Sequence, residues 1–171
     1  MRAAPLHFAG HAVCVDVLLG AGADLEARDE VGKAPLHYAV QLSAEHEAVK
    51  VAQALLAAGA DTRAVEANGR TPLHIAQHAC VDVLLDAGAE LEARDSEGMT
   101  PIQLAARRKC RRVLRLAQRG AVVTSDDLVV RQLSHMMMKL CRGEARERAV
   151  DTIVESLAGV TYPVHAHAHA A

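Results

Sequence analysis

Residues 71–102 read TPLHIAQHACVDVLLDAGAELEARDSEGMTPI, and residues 4–36 repeat nearly the same text as APLHFAGHAVCVDVLLGAGADLEARDEVGKAPL. Four prolines, each followed by an aliphatic residue, mark the starts of the copies: Pro5, Pro35, Pro72 and Pro101. They are separated by 30, 37 and 29 residues, a mean period of 32. A period of this size indicates stacked helical repeats, each too small to bury a core alone.

One copy contains two short apolar stretches followed by a polar one. Pro72 suits the first position of a helix, where its missing N–H costs nothing. The second apolar stretch, residues 81–85, stops before Gly88, as expected for a left-handed residue after a helix. The sequence ELEARDSEG then follows. The predicted unit is a helix, a tight turn, a second helix and an extended polar segment, here called a finger.

The motifs TPLHxA, VxxLLxxGAD and D-x-x-G, in this order, make the chain similar to the ankyrin repeat family over about residues 3–121. Copy three has the full Thr-Pro-Leu-His at 71–74, copies one and two have Ala first, and copy four reads Thr-Pro-Ile-Gln at 100–103. The glycine of the GAD element falls at Gly22, Gly59, Gly88 and Gly120. The resemblance implies an all-α ankyrin-repeat solenoid, with a helix-turn-helix and a finger in each of four repeats.

The copies depart from the family in length. From the proline to the GAD glycine, copies one and three span 17 and 16 residues and copy two spans 24, whereas the family has about 20. We therefore expect copies one and three to lack about one helical turn at the corner, and copy two to carry an insertion near residues 41–50. The chain begins at the first helix of copy one, with no finger before it. This is expected of a modified terminal repeat or of a fragment.

The chain divides into three predicted parts: an ankyrin repeat domain at 1–123, a C-terminal helical hairpin at 124–159 and a His/Ala tail at 160–171. The hairpin follows from TSDDLVVRQLSHMMMKLCRG and EARERAVDTIVESLAG, each of which has apolar residues on one helical face and ends in glycine. We expect it to cap the stack by packing on copy four.

Composition narrows the possible functions. Hydrophobic residues make up 51% of the chain but aromatic ones only 2%, which favours thin layers of small helices. The net charge of −2 gives no overall attraction to nucleic acid or anionic lipid. No apolar run is long enough for a membrane span, and no signal peptide is evident. Four dispersed cysteines without a CxxC pair predict an intracellular, cytoplasmic protein.

The ten histidines do not indicate a metal site. The ankyrin resemblance implies that His7, His37 and His74 hydrogen-bond backbone between adjacent repeats. A zinc site needs about four converging ligands, whereas His11 and Cys14 are expected in a different layer from His78 and Cys80. The cysteines are expected to be small buried side chains. The alternating His165, His167 and His169 could hold a metal ion loosely, but we interpret the tail as a simple His-Ala repeat.

Catalytic motifs are also absent from the sequence. There is no G-x-S-x-G, no phosphate-binding glycine loop and no paired carboxylates in an apolar setting. The prediction is a non-enzymatic protein without a cofactor.

The resemblance implies protein binding through variable residues on the finger tips and inner helices. A second signal is the basic run RRKCRRVLRLAQR at 107–119, with seven basic side chains and no acid. Such like charges repel unless an acid approaches, so we expect a partner protein with an acidic segment rather than nucleic acid. The predicted binding residues are Glu30, Val31, Lys33, Gln41, Leu42, Asn68, Arg70, Ser96, Glu97, Met99, Arg107, Arg108, Arg111 and Arg115.

Two roles are compatible with this reading. The first is an adaptor or scaffold, which includes a subunit of a large assembly. The alternative is a substrate receptor of a ubiquitin ligase, because Met137 and Cys141 have the spacing of a leucine and a cysteine in the SOCS box. Methionine replaces the leucine, and no proline-rich second half follows.

Overall fold

The computed structural model describes residues 4–77, 79–108 and 112–121, except for the side chain of Leu114. These residues form a 3₁₀ helix and seven α-helices and contain no strand. The 3₁₀ helix spans Pro5–Phe8, and the α-helices are α1 (Ala12–Gly20), α2 (Pro35–Ala39), α3 (Glu45–Ala57), α4 (Pro72–Ile75), α5 (Cys80–Asp86), α6 (Pro101–Arg107) and α7 (Arg112–Gln118). The predicted C-terminal hairpin and tail lie outside the described residues.

Each copy supplies two helical elements, and their lengths follow the irregular spacing of the sequence. The 3₁₀ helix of copy one and α4 of copy three each have four residues, whereas α6 of copy four has seven. Copy two, with its insertion, has the longest second helix, α3, at 13 residues. The prediction that copies one and three lack a turn at the corner is therefore confirmed.

The core is a row of aliphatic side chains that repeats with the copies. The residue after each proline is buried, and so is at least one aliphatic residue of each second helix. These two sets are Leu6, Leu36, Leu73 and Ile102, and Val15, Leu55, Leu84 and Leu116. They belong to one hydrophobic cluster, so each thin layer is completed by its neighbours.

The two helical elements of each copy pack on each other. Among the described residues, contacts between helices of different copies join neighbouring copies only. Thus α1 packs on α3, α3 on α5 and α5 on α7, while α2 contacts the 3₁₀ helix and α4, and α4 contacts α6. Gly88 ends α5 with φ of 84°, the left-handed conformation predicted for it. No described helix is long and apolar enough to cross a membrane.

Candidate protein-binding surface

Along the described part of the stack, three fingers follow one another: the first finger (residues 29–33), the second finger (66–70) and the third finger (95–99). In the third finger, Asp95 Oδ1 accepts the backbone N–H groups of Glu97 and Met99, both at 2.9 Å. Asp29 does the same in the first finger for Val31 and Lys33, at 2.9 and 2.8 Å. An acid at the first position therefore folds each of these fingers into a closed turn.

The carboxyl groups at these two positions are stabilised in their charged form. Burial acts to raise the pKa of Asp29 and of Asp95, but the hydrogen bonds that they accept outweigh it and lower both values. The Tyr38 hydroxyl donates to Asp29 at 2.6 Å, and the Arg70 guanidinium donates to Asp95 at 3.4 Å. Both acids therefore stabilise the folded conformation of their fingers.

Backbone hydrogen bonds tie each finger to the next. The N–H of Ala67 donates to the Val31 carbonyl, and the N–H of Ser96 donates to the Asn68 carbonyl, both at 2.9 Å. The fingers approach so closely that a Cβ atom at Gly69 would lie 2.9 Å from the Ser96 nitrogen. Gly69 also has φ of 70°, a conformation that other residues adopt at a cost. The fingers thus form one continuous row.

The repeated histidines anchor the row to the helices. His74 Nδ1 accepts the Thr71 N–H at 3.2 Å, so the ring proton lies on Nε2, which donates to the Met99 carbonyl at 3.0 Å. His37 makes the same pair of bonds, with Ala34 and with the Arg70 carbonyl. The backbone contacts expected of the histidines are therefore confirmed.

Copy three has the extra contact predicted for it, because the Thr71 hydroxyl lies 2.9 Å from His74 Nδ1. His7 joins the Lys33 carbonyl at 2.9 Å through Nε2. In copy four, Gln103 replaces the histidine, and its Oε1 accepts the Thr100 N–H at 3.0 Å. Burial lowers the pKa of His37 and of His74, which favours the neutral ring that this bonding pattern requires.

Most of the predicted binding residues lie along this row or beside it. The exposed ones are Glu30, Val31, Gln41, Asn68, Ser96, Glu97, Arg107 and Arg108, and the half-buried ones are Lys33, Leu42, Arg70, Met99 and Arg115. Lys33 Nζ donates to Gln41 Oε1 at 3.3 Å, whereas Leu42 packs against the hydrophobic core. Arg111 lies outside the described residues.

The second and third fingers meet α6 in a cluster of charges. Arg70 Nη2 lies 3.4 Å from Glu97 Oε1, and Arg107 Nη1 lies 2.5 Å from Glu97 Oε2. Arg107 Nη1 is also 3.3 Å from the Met99 sulfur. Hydrogen bonding to Glu97 raises the pKa of Arg107. Four predicted binding residues, from two fingers and α6, therefore form one connected cluster.

Two further arginines of the basic run pair with acids of α5. Arg115 donates to Asp82 through Nε at 2.6 Å and also through Nη2. Arg119 pairs with Asp86 and lies 3.6 Å from Asp82. Three arginines of the run, at 107, 115 and 119, thus have acidic partners within the chain. The premise that the like charges need an external acid does not apply to these three.

Arg112 was predicted only as one charge of the basic run, but its side chain is buried, at 5% exposure. Its Nη1 and Nη2 donate to the carbonyl oxygens of Ala76 and His74, at 2.7 and 2.6 Å. The chain leaves α4 at Ala76, where ψ is 144°. The arginine therefore bonds carbonyls that the next turn of a longer helix would have used. The short corner of copy three was the only sequence signal that could have suggested this role.

The cysteines only partly match the expectation of burial. Cys80 is buried, which raises the pKa of its thiol to about 11. Cys14 is exposed, so the prediction of burial was wrong for this cysteine. Copy two lies against the side of copy three that holds Cys80, whereas no described repeat precedes copy one and covers Cys14. His11 Nδ1 lies 3.0 Å from Glu47. Within the described part of the chain, no group of three or more metal-ligating side chains comes together.

This arrangement of helix pairs, stacked fingers and inter-repeat histidines defines an all-α repeat protein. A family model for ankyrin repeats, in three copies, matches residues 42–127, which is half of the chain. The chain therefore belongs to the ankyrin repeat family. Ankyrin repeats generally bind other proteins, and the family is typically non-catalytic. No curated protein matches the chain.

Proposed function

We propose that this chain is an adaptor or scaffold that binds another protein through its three fingers and the adjoining ends of α2 and α6. The observation that carries the proposal is the row of fingers itself. The fingers are fixed to each other by backbone hydrogen bonds and to the helices by histidine side chains. The side chains of Val31, Asn68 and Ser96 stay exposed. A rigid row of exposed side chains lets a partner bind without ordering the loops.

The proposed partner is a protein with an acidic segment, bound in the same intracellular compartment. Arg70 and Arg107 contact the third finger, and Arg108 follows at the end of α6. Arginine can hold carboxylates by paired hydrogen bonds. Arg115 of α7 pairs with Asp82 of α5, so its part in binding requires that ion pair to rearrange. Arg111 stays a prediction from the sequence.

The test is an affinity purification from the native cell, read by quantitative mass spectrometry, with a finger variant and a matched control. The finger variant is Val31→Glu with Ser96→Glu, and the control is Gln53→Glu with Gln118→Glu on the second helices. All four side chains are exposed, and the change in charge is equal. We expect the finger variant alone to lose a partner while its unfolding curve stays that of the control. Equal recovery of every partner by both variants would contradict the proposal.

The alternative role in a ubiquitin ligase rests on the Met137 and Cys141 spacing, which lies outside the described residues. It predicts that the full chain co-purifies with elongins B and C and that Cys141→Ser weakens this association. Purification of the native complex without elongins would leave the adaptor role as the sole proposal.

A further inference from the structure

We infer that Arg70 and Arg107 form a binding site for a carboxylate of an acidic protein segment, and that Glu97 fills this site in the unbound chain. The inference rests on the proposed function and adds the chemistry of the partner and a reason for its selectivity. It starts from the charge cluster between the second finger, the third finger and α6.

The geometry of the cluster is that of a bound carboxylate. Each oxygen of Glu97 faces a different guanidinium, Oε1 toward Arg70 at 3.4 Å and Oε2 toward Arg107 at 2.5 Å. Arginine is the side chain best suited to such pairing, because its N–H groups point in fixed directions. A carboxylate from another chain could make the same two contacts if Glu97 moved away.

Glu97 can move without disturbing the finger. Its backbone N–H is held by Asp95 Oδ1 at 2.9 Å, and the next turn of the finger is held by the bond from Met99 to the same oxygen. The carboxylate of Glu97 makes neither bond, and its side chain is 48% exposed. The finger therefore keeps its shape whether or not Glu97 stays between the arginines.

The two arginines are oriented by contacts that do not involve Glu97. Arg70 is only 18% exposed and donates through Nε to the buried carboxylate of Asp95 at 3.4 Å. Arg107 is 55% exposed and lies 3.3 Å from the sulfur of Met99. When Glu97 leaves, Asp95 balances only one of the two cations. The site then carries a net positive charge, which attracts an incoming acid.

Glu97 accordingly acts as a competitor built into the chain. An incoming carboxylate has to displace it, so a single weak acid gains little, whereas a run of acids that engages both arginines gains more. Removing the charge of Glu97 should tighten binding of acidic segments, which is the opposite of what loss of a contact residue does.

The experiment measures the anisotropy of a fluorescein-labelled oligoglutamate peptide, with oligoglutamine as the neutral probe, on the full chain at low ionic strength. Glu97→Gln is compared with Glu90→Gln, which removes the same charge from an exposed side chain that is not among the predicted binding residues. We expect Glu97→Gln to lower the Kd for oligoglutamate about three- to sixfold, and Glu90→Gln to change it less than about twofold. Adding Arg107→Gln to Glu97→Gln should abolish the gain.

Equal effects of Glu97→Gln and Glu90→Gln would overturn the inference, since net charge alone would then explain them. So would a gain that persists in the double variant, or equal tightening of oligoglutamine. The outcome is separable from the proposed function. If Glu97→Gln leaves the Kd unchanged while the finger variant still loses a native partner, protein binding stands and the carboxylate site is wrong.

Discussion

Replacing Arg112 with leucine should destabilise the junction between copies three and four more than any other single charge removal in the described basic run. The guanidinium makes two hydrogen bonds to backbone carbonyls, at 2.7 and 2.6 Å, in a buried setting. A bond from a charged donor contributes about 1.5–3 kcal/mol, and leucine regains part of the loss by apolar burial. We expect the free energy of unfolding to fall by about 2–5 kcal/mol, a large fraction of the stability of a typical domain.

The measurement is urea unfolding of the full chain followed by circular dichroism, with hydrogen exchange to locate the change. Arg115→Leu is the matched control on the same helix, because its side chain is 42% exposed and its ion pair with Asp82 is on the surface. The control should cost less than about 1 kcal/mol. In Arg112→Leu alone, amides near Ala76 should exchange faster. If both variants unfold at the same urea concentration, Arg112 does not stabilise the corner and the reasoning is refuted.

Three further predictions concern the core, the histidines and the cysteines. Leu84→Ala should lower the free energy of unfolding by about 2–4 kcal/mol in urea melts, because Leu84 is fully buried. Urea midpoints should fall as the pH drops below about 6.5, because the unfolded chain takes up protons that buried His37 and His74 resist; a flat profile would contradict this. A thiol reagent read by peptide mapping should label exposed Cys14 quickly and Cys80, with its raised pKa, only on unfolding; equal rates would contradict this.

The sequence was sufficient to predict the parts of the fold that repeat. The Pro-Leu-His motif predicts a buried aliphatic residue and a histidine bonded to backbone at fixed positions. The structure has both in copies one to three. The short spacing in copy three correctly predicted a missing turn, because spacing within a repeat directly limits helix length. The D-x-x-G motif predicted the positions of the fingers, whereas the hydrogen bonds that join one finger to the next are seen only in the structure.

Features that depend on one copy facing another could not be predicted from the sequence. Arg115 and Arg119 pair with Asp82 and Asp86, which lie 33 residues earlier, and such pairing depends on how α7 sits on α5. The burial of Arg112 depends on the same packing. Cys14 and Cys80 occupy equivalent positions in copies one and three. They differ in exposure because a described repeat precedes copy three, whereas none precedes copy one.

The bond from Arg112 to the corner of copy three bears on whether these repeats are interchangeable modules. By sequence Arg112 belongs to copy four, yet the carbonyls that it bonds belong to copy three. A repeat of standard length placed before copy four would already satisfy those carbonyls within its own helix and leave a buried cation without acceptors. Copies three and four therefore behave as one inseparable unit, and a shuffled or consensus version of this array has to move them together.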